Sequence, residues 1–545
     1  MTTHSFPGLH GSPARTGARM ARKTTRATWA LSVLAALAIG LVALSSQSLW
    51  IDELGTWRLT RADNLAAWLR VLLAWDNSDA QMPLYHGWMK LWVSLFSDRE
   101  WSLRASNLPW LALALYAFWR APVRSSAVGW VRWAGVVCAL HPLTWYYVNE
   151  ARPYVMLLAA SALAGVGLVG LWQESRRAAE AGCARHFLII GLALLAATSP
   201  IGAIWTLSFL LPALWLGCRQ HGWTLGLQRG HAGTIVLCLV VLGPVCAQYV
   251  SSFLAGITAT TLHEHKLANF VFGFYELLGL GGLGPGREEL RAAQGAALRS
   301  HAMGLGLGAL ALAGAMVYGL RVMWRTQRWA AVGVLVAGLL PVLILYELAE
   351  LKHWRVVGRH MLPLLFFVCL VLAAGLQQAW RAAGRSWRLK LLTGVALAAL
   401  LASSLSVRFA ARHEREMYRE AAAAAAETVS RGQRVWWFAD LPGPEYYGLG
   451  AHVQNLVLPV DYDHSARRLV EGLHSRMVKD CSQVQADTLL IMKNLGADML
   501  AACPAPARVI LSRREGFDRN GAAQAWMDAH GMTLRRRFVG FEIWE

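Results

Sequence analysis

Two adjacent carboxylates, Asp52 and Glu53, stand in the stretch SLWIDELGTW at 48–57, after an apolar run that begins near Thr28. Carboxylates are suited to acid–base work. Other ionisable residues gather at the ends of apolar runs: Asp76 and Asp79 in WDNSDAQMPLYH, Glu150 and Arg152 in YYVNEARPY, HEHK at 263–266, and Lys352, His353, Arg355 and Arg359 in LKHWRVVGRHMLP. The planar fork of an arginine fits phosphate oxygens. Each group also has a plainer reading. Asp52 and Glu53 would serve as a hydrated helix end, Glu150 and Arg152 as a structural ion pair, and Arg359 as a cation snorkelling to a membrane interface. Neighbouring residues point in different directions on a helix or a strand, so Asp52 and Glu53 do not both face one reacting atom. Two histidines at i, i+2 in HEHK, without a further acid at the right distance, are a weak metal signal.

The elements that must hold these residues are membrane spans. The chain has 545 residues, 56% hydrophobic and only 16% charged, where a soluble chain carries about 25% charged residues. The apolar residues form runs long enough to cross a bilayer, near 28–48, 105–120, 127–145, 153–172, 186–199, 201–217, 231–252, 302–320, 329–347, 360–379 and 389–407. Around Ser199–Pro200 the pattern fits either a broken helix or a re-entrant hairpin. The net charge of +19 does not indicate nucleic acid, because the arginines cluster in short connections between apolar runs and no nucleic-acid motif is present. Those basic connections belong on the cytoplasmic side. The alternate set, 51–104, 146–152, 253–301 and 348–359, holds almost all the acids and faces outward, as does everything after Ser406. A transporter places charges near the midplane more often, whereas an enzyme working at one leaflet would gather them on one side, as here.

The basic segment 1–27 is expected to lie in the cytoplasm, with the first run as a retained signal-anchor. In the outer loop, Leu65–Trp75 and Leu84–Phe96 have the spacing of amphipathic helices lying in the membrane interface. From about 408 to 545 the composition changes to a charged, alanine-rich helix followed by short strands alternating with helical stretches, a soluble α/β domain. The segment TLRRRFVGFEIWE reads as one closing strand. Cys481 and Cys503 in this domain form either a disulfide or two free thiols. The other six cysteines read as buried apolar thiols.

The ordered motifs WIDELGTW, MPLYHGWMKLWVSLF with SLRASNLP, HPLTWYYVNEARPYVMLL and GRHMLPLLFF together resemble the bacterial integral-membrane glycosyltransferases of the GT-C fold. That group includes aminoarabinose transferases, rhizobial lipopolysaccharide-core transferases and protein O-mannosyltransferases. The resemblance spans most of 28–407 and implies an α-helical polytopic domain of about 11 transmembrane helices with its catalytic outer loop at 48–104. It implies transfer of a monosaccharide, with inversion, from a polyprenyl phosphate to a glycolipid, cell-wall glycan or protein acceptor. The place of action would be the bacterial inner membrane, with the active site and residues 408–545 facing the periplasm. On the matching motifs, Asp52 takes the proton of the acceptor. Glu53 is second choice for that role, or a partner that orients the site. Arg359, Arg152, Lys352 and Arg355 hold the donor phosphate, while Asp79, Tyr85, Glu150 and Tyr154 line the site. Asp79 would either line it or cap the helix starting near Pro83. Gln81 and Met82 depart from the family's usual basic residue and proline, so no metal ligand is assigned; no cofactor is fixed, and a divalent metal is compatible with the resemblance. A flippase of lipid-linked sugars and a polysaccharide ligase or polymerase are the competing readings.

Overall fold

The computed structural model describes residues 13–74, 78–121, 126–173, 178–254, 267–293, 295–352, 356–382, 386–456, 476–478, 480–492, 495–513, 517–518 and 520–545. Helix α1 (Pro13–Ala43) opens the chain. It stops short of the expected end at residue 48: Ser45, Gln47 and Ser48 turn their carbonyls toward the guanidinium of Arg104, at 2.8–3.0 Å, instead of continuing a helical ladder. The outer loop then folds as α2 (Ile51–Thr60), α3 (Leu65–Ala74), α4 (Pro83–Leu95) and α5 (Glu100–Ala105). The two amphipathic stretches are therefore helical, as their spacing predicts. Lys90 crosses from α4 to donate to the carbonyls of Thr60 and Ala62, tying down the end of α2.

The bundle continues with α6 (Leu108–Arg120), α7 (Ser126–Leu140), α8 (Pro142–Val148), α9 (Tyr154–Trp172), α10 (Ala178–Thr198), α11 (Pro200–His221) and α12 (Arg229–Leu254). Ser199 is extended (φ −170°, ψ 163°) and its hydroxyl accepts from the Gly202 N–H, so α11 starts as a separate, N-capped helix after α10. After α13 (Leu267–Leu277), α14 (Arg287–Ala293) and α15 (Gly295–Ser300) come α16 (Ala302–Lys352), α17 (Leu364–Ala382) and α18 (Trp387–Phe409). Gln327 is non-helical (φ −152°, ψ 66°) and divides α16 at the place where two spans were expected. Among the described residues, seven helices are long and apolar enough to cross a membrane: α1, α9, α11, α12, α16, α17 and α18. The remaining expected runs fall on α6, α7 and α10. Helices α9 and α17 are each 83% buried over their apolar windows and form the centre of the bundle, whereas α12 is only 11% buried and belongs to its rim.

Close helix contact depends on small residues. A Cβ on Gly319 would lie 2.0 Å from the Val371 carbonyl oxygen, and one on Gly375 would lie 2.2 Å from that of Ala315. These glycines let the backbones of α16 and α17 meet, as small residues do in membrane helix pairs.

The C-terminal region consists of α19 (Tyr418–Val429), β1 (Val435–Phe438), α20 (Pro442–Tyr446), β2 (Val453–Leu456), β3 (Arg476–Val478), β4 (Leu489–Ile491), α21 (Ala497–Ala502), β5 (Arg508–Ser512), α22 (Ala522–Ala529), β6 (Leu534–Phe538) and β7 (Phe541–Trp544). The sheet order is β3-β2-β4-β1-β5-β7-β6, parallel from β3 to β5 and antiparallel at β7 and β6. The closing segment, expected as one strand, is a hairpin. Gly540 (φ 84°) takes the left-handed turn conformation that a side chain would oppose. Cys481 and Cys503 are joined as a disulfide. Alternation along β1 sends Val435 and Trp437 to one face and Trp436 and Phe438 to the other. The first face packs with α19 and with Leu49, Leu54, Trp57 and Tyr85 of the outer loop in one continuous core. The second face forms its own core with α22.

Replacing Gly375 by leucine should lower the thermal midpoint of the detergent-solubilised protein, a cost of about 1–3 kcal/mol from overpacking. A tryptophan-fluorescence melt checks it, and an unchanged midpoint would contradict the close α16–α17 crossing. Reduction should shift the gel mobility of the C-terminal region, and Cys481→Ser should abolish that shift.

Candidate active site

The first turn of α2 carries both acids, where carboxylates favour the positive end of the helix. They part company at once. Glu53 is fully buried. Its carboxylate takes a fork–fork pair from Arg104, with Nε at 2.9 Å and Nη2 at 2.7 Å. It also accepts the Ala151 N–H at 2.8 Å and the Trp50 N–H at 3.3 Å, and Arg415 stands 3.5 Å away. Burial alone would raise the Glu53 carboxyl, but Arg104, with help from Arg415, holds it below its ordinary value.

Asp52 lies on the open side, with its side chain 25% exposed. Its carboxylate meets Arg359 Nη1 at 3.0 Å. Arg359 comes from the single 3-10 turn Gly358–Met361 that leads into α17, and its guanidinium lies over the Trp50 ring at 5.9 Å. Trp50, at the outer end of the first run, is thus a buried platform rather than a lipid-facing anchor. The turn fits closely against α13: a Cβ on Gly358 would come within 2.2 Å of Glu276 Oε2.

Arg152 and Glu150 do not pair with each other. Arg152 Nη1 donates to Asp79 at 2.6 Å, to Thr56 Oγ1 at 3.1 Å and to the Asp52 carbonyl at 3.2 Å. Asp79 therefore does not cap α4, whose N-cap is Met82 without a side-chain bond; its carboxylate anchors Arg152, with His86 at 3.8 Å. Burial opposes the Asp79 charge, and Arg152 and His86 outweigh it, keeping the carboxyl well below the usual range. Glu150 pairs with Arg415 at 3.2 Å. Its carboxyl is raised by burial, which Arg415 only partly offsets. Tyr85 is fully buried beside this group, with its hydroxyl unbonded. Tyr154 begins α9 within the site, 4.7 Å from Tyr147 ring to ring.

Asp52, Asp79, Arg152, Arg359, Tyr85 and Tyr154 are thus brought to one place, and Glu53 and Glu150 stand behind them. His353, Arg355, Asp76 and HEHK lie outside the described residues, as does the side chain of Lys352, which ends α16. Among the described residues no three or more His, Cys, Asp or Glu are grouped to hold a metal ion. Arg104, Arg415, His86 and the Glu276–Arg287 pair (3.4 Å) were not singled out in the sequence. Arg104 stands in SLRASNLP, one of the motifs that carry the resemblance, and Arg415 in the basic stretch RHEREMYREA before the C-terminal region, but nothing local in either stretch marks its partner.

Two structures of ArnT from Cupriavidus metallidurans match this chain over 94% of its length and 97% of theirs: the apo state at 14% identity and TM-score 0.55, and the form bound to undecaprenyl phosphate at 13% identity and TM-score 0.53. The chain has the fold of ArnT. No protein-family model matches it, and no curated protein sequence does. The ArnT-like fold accords with the helical membrane architecture that the GT-C motifs imply.

The two acids should separate by experiment. Glu53→Gln leaves the Arg104 charge buried against a neutral amide and should cost about 3–5 kcal/mol, read as a large fall in thermal midpoint; Asp52→Asn should leave the midpoint nearly unchanged. Because the folded Glu53 value is depressed, its stabilising share is complete above the ordinary value of 4.5 and is lost as pH falls through the lower folded value. The acid-side decline in midpoint should therefore be smaller in Glu53→Gln than in the parent.

Proposed function

We propose that this chain is a membrane glycosyltransferase that moves a monosaccharide from a polyprenyl phosphate to an extracytoplasmic acceptor, with Asp52 as the base. The observation that carries this reading is the half-open Asp52–Arg359 pair, at 3.0 Å, set beside a second arginine on a fold shared with ArnT. One of those ArnT structures is bound to undecaprenyl phosphate. That bound lipid supports a polyprenyl phosphate as the donor carrier here.

In this reading the donor phosphate competes with Asp52 for Arg359. When the phosphate binds, its oxygens occupy the guanidinium fork and the Asp52 carboxylate is released. The acceptor hydroxyl or amine then gives its proton to Asp52 as its lone pair attacks the anomeric carbon. The bond from that carbon to the phosphate oxygen breaks on the opposite face. Polyprenyl phosphate leaves carrying the bonding electrons, and configuration inverts. Arg359 and Arg152 stabilise the charge that develops on the leaving phosphate. Asp79 and His86 hold Arg152 in place, Glu53 orients α2, and Glu150 and Tyr154 shape the wall. Lys352 and Arg355, close to Arg359 in the chain, are retained as further phosphate-binding cations. The site faces the periplasm in this reading, because the basic connections define the cytoplasmic side.

Purified protein with a labelled polyprenyl-phosphate sugar and envelope acceptor should release polyprenyl phosphate. Asp52→Asn should abolish release, by about 10²–10⁴-fold, while the protein stays folded. Full activity in that variant would sink the assignment, and movement of the intact lipid-linked sugar without release would favour a flippase. Arg359→Ala should raise the donor KM; an unchanged KM would remove Arg359 from phosphate binding.

A further inference from the structure

A cavity with charged and aromatic walls lies away from Asp52, where the outer loop meets the C-terminal region. It has a volume of about 400 Å³, within the range of small-ligand sites. Its walls come from three stretches of chain. Helix α2 supplies Trp57 and Arg61, the turn before α5 and its first residue supply Asp98 and Glu100, and the C-terminal region supplies Arg419, Tyr446 and Tyr447. The cavity exists only because α20 is docked on α2.

The aromatic wall is held rigid. Trp57 and Tyr446 meet edge to face at 4.9 Å, and Tyr446 meets Tyr447 in the same way at 4.8 Å. Trp57 Nε1 donates to Asp98 Oδ2 at 3.1 Å, the Tyr446 hydroxyl donates to the Asp98 carbonyl at 2.9 Å, and the Tyr447 hydroxyl accepts the Leu49 N–H at 2.9 Å. The charged wall is looser. Glu100 and Arg419 are 3.8 Å apart, and Arg61 is exposed, 5.5 Å over the Trp57 ring. Glu445, also on the wall, faces Arg58 at 3.6 Å.

Aromatic rings beside carboxylates and guanidinium groups suit a ligand that offers a C–H face to the rings and hydroxyls to the charged groups. The carboxylates Asp98, Glu100 and Glu445 are matched by Arg58, Arg61 and Arg419, so there is no excess charge to select an ion. A hydrocarbon would strand these charges without water. We propose that this cavity is a saccharide-binding subsite that holds a sugar unit of the acceptor glycan away from the unit that reacts. Trp57 is five residues along α2 from Asp52, roughly 7.5 Å of rise and roughly 140° of turn. The cavity therefore opens on another side of the helix and does not serve the reacting hydroxyl. It selects which glycan is presented. The word acceptor rests on the transferase reading above; the binding of a saccharide does not.

The test is the full-length protein in nanodiscs on an array of bacterial surface oligosaccharides. The parent and Asp52→Asn should both bind a defined subset of glycans. Tyr446→Ala should lose that binding by about tenfold or more while keeping its thermal midpoint and its donor-dependent release of polyprenyl phosphate to water. Glu100→Gln, which leaves the aromatic wall intact, gives a second reading should Tyr446→Ala fail to fold, and should weaken the same glycans. No binding above empty nanodiscs, or binding unchanged in both variants, overturns the proposal. No release of polyprenyl phosphate by the parent protein, with its glycan binding intact, would instead overturn the transferase reading alone.

Discussion

The buried pair between Glu53 and Arg104 is the constraint around which the outer face is arranged. Its two side chains are fully buried, and the guanidinium also receives the carbonyls of Ser45, Gln47 and Ser48. Two charges out of water are stable only when nearly every lone pair and N–H is satisfied. Here that requirement ends α1 early, fixes the extended segment before α2, and draws in the 149–152 turn through the Ala151 N–H. Arg415 adds a tie from the start of the C-terminal region to both Glu53 and Glu150. Four separate stretches of sequence thus meet at one carboxylate. Hydrophobic burial sets no comparable register within a membrane, where lipid is as apolar as the helices.

This arrangement explains why the neighbouring acid is free. Successive residues of a helix differ by roughly 100°, so with Glu53 facing inward Asp52 faces the open side. Its partner Arg359 is held from a different element, and Arg152 grips the Asp52 carbonyl rather than its carboxylate. The pair at the mouth is thus weaker in solvation terms than the pair beneath it, since water reaches both Asp52 and Arg359. In the proposed function, an incoming phosphate exchanges with the first pair without disturbing the second. The distinction between an exchangeable and a fixed ion pair comes from burial alone, the residue types being the same.

The membrane helices were legible in the sequence because run length is a direct physical requirement of the bilayer. Asp52, Arg359 and Arg152 were legible because charge at the end of an apolar run is costly and therefore selective. The pairing among them was not. Glu150 and Arg152, two residues apart in one motif, look like a pair, yet the turn between them sends Arg152 to Asp79 and Glu150 to Arg415. Such partners are far apart in the chain, and no local pattern encodes them. The same holds for Arg104, an unremarkable arginine until three carbonyls and a carboxylate converge on it. The closing hairpin was missed because Val539–Gly540 is a short turn within an otherwise continuous β-prone run; only the positive φ of Gly540 marks it.

The C-terminal sheet is more than an appended module. Its β1 face, through α19 and α20, shares one core with Leu49, Leu54 and Trp57, and Leu49 and Trp57 lie on either side of the first turn of α2, which carries Asp52. Tyr447 bonds to Ser48 and Leu49, and Arg419 bonds to Ser46, so the extended segment that feeds Arg104 is held from both the membrane and the C-terminal side. Whatever occupies the seam beside Tyr446 therefore touches the same short helix that carries Asp52. A single turn-and-helix, Leu49–Arg61, thus lines the seam with Trp57 and Arg61 and carries Asp52 into its ion pair with Arg359.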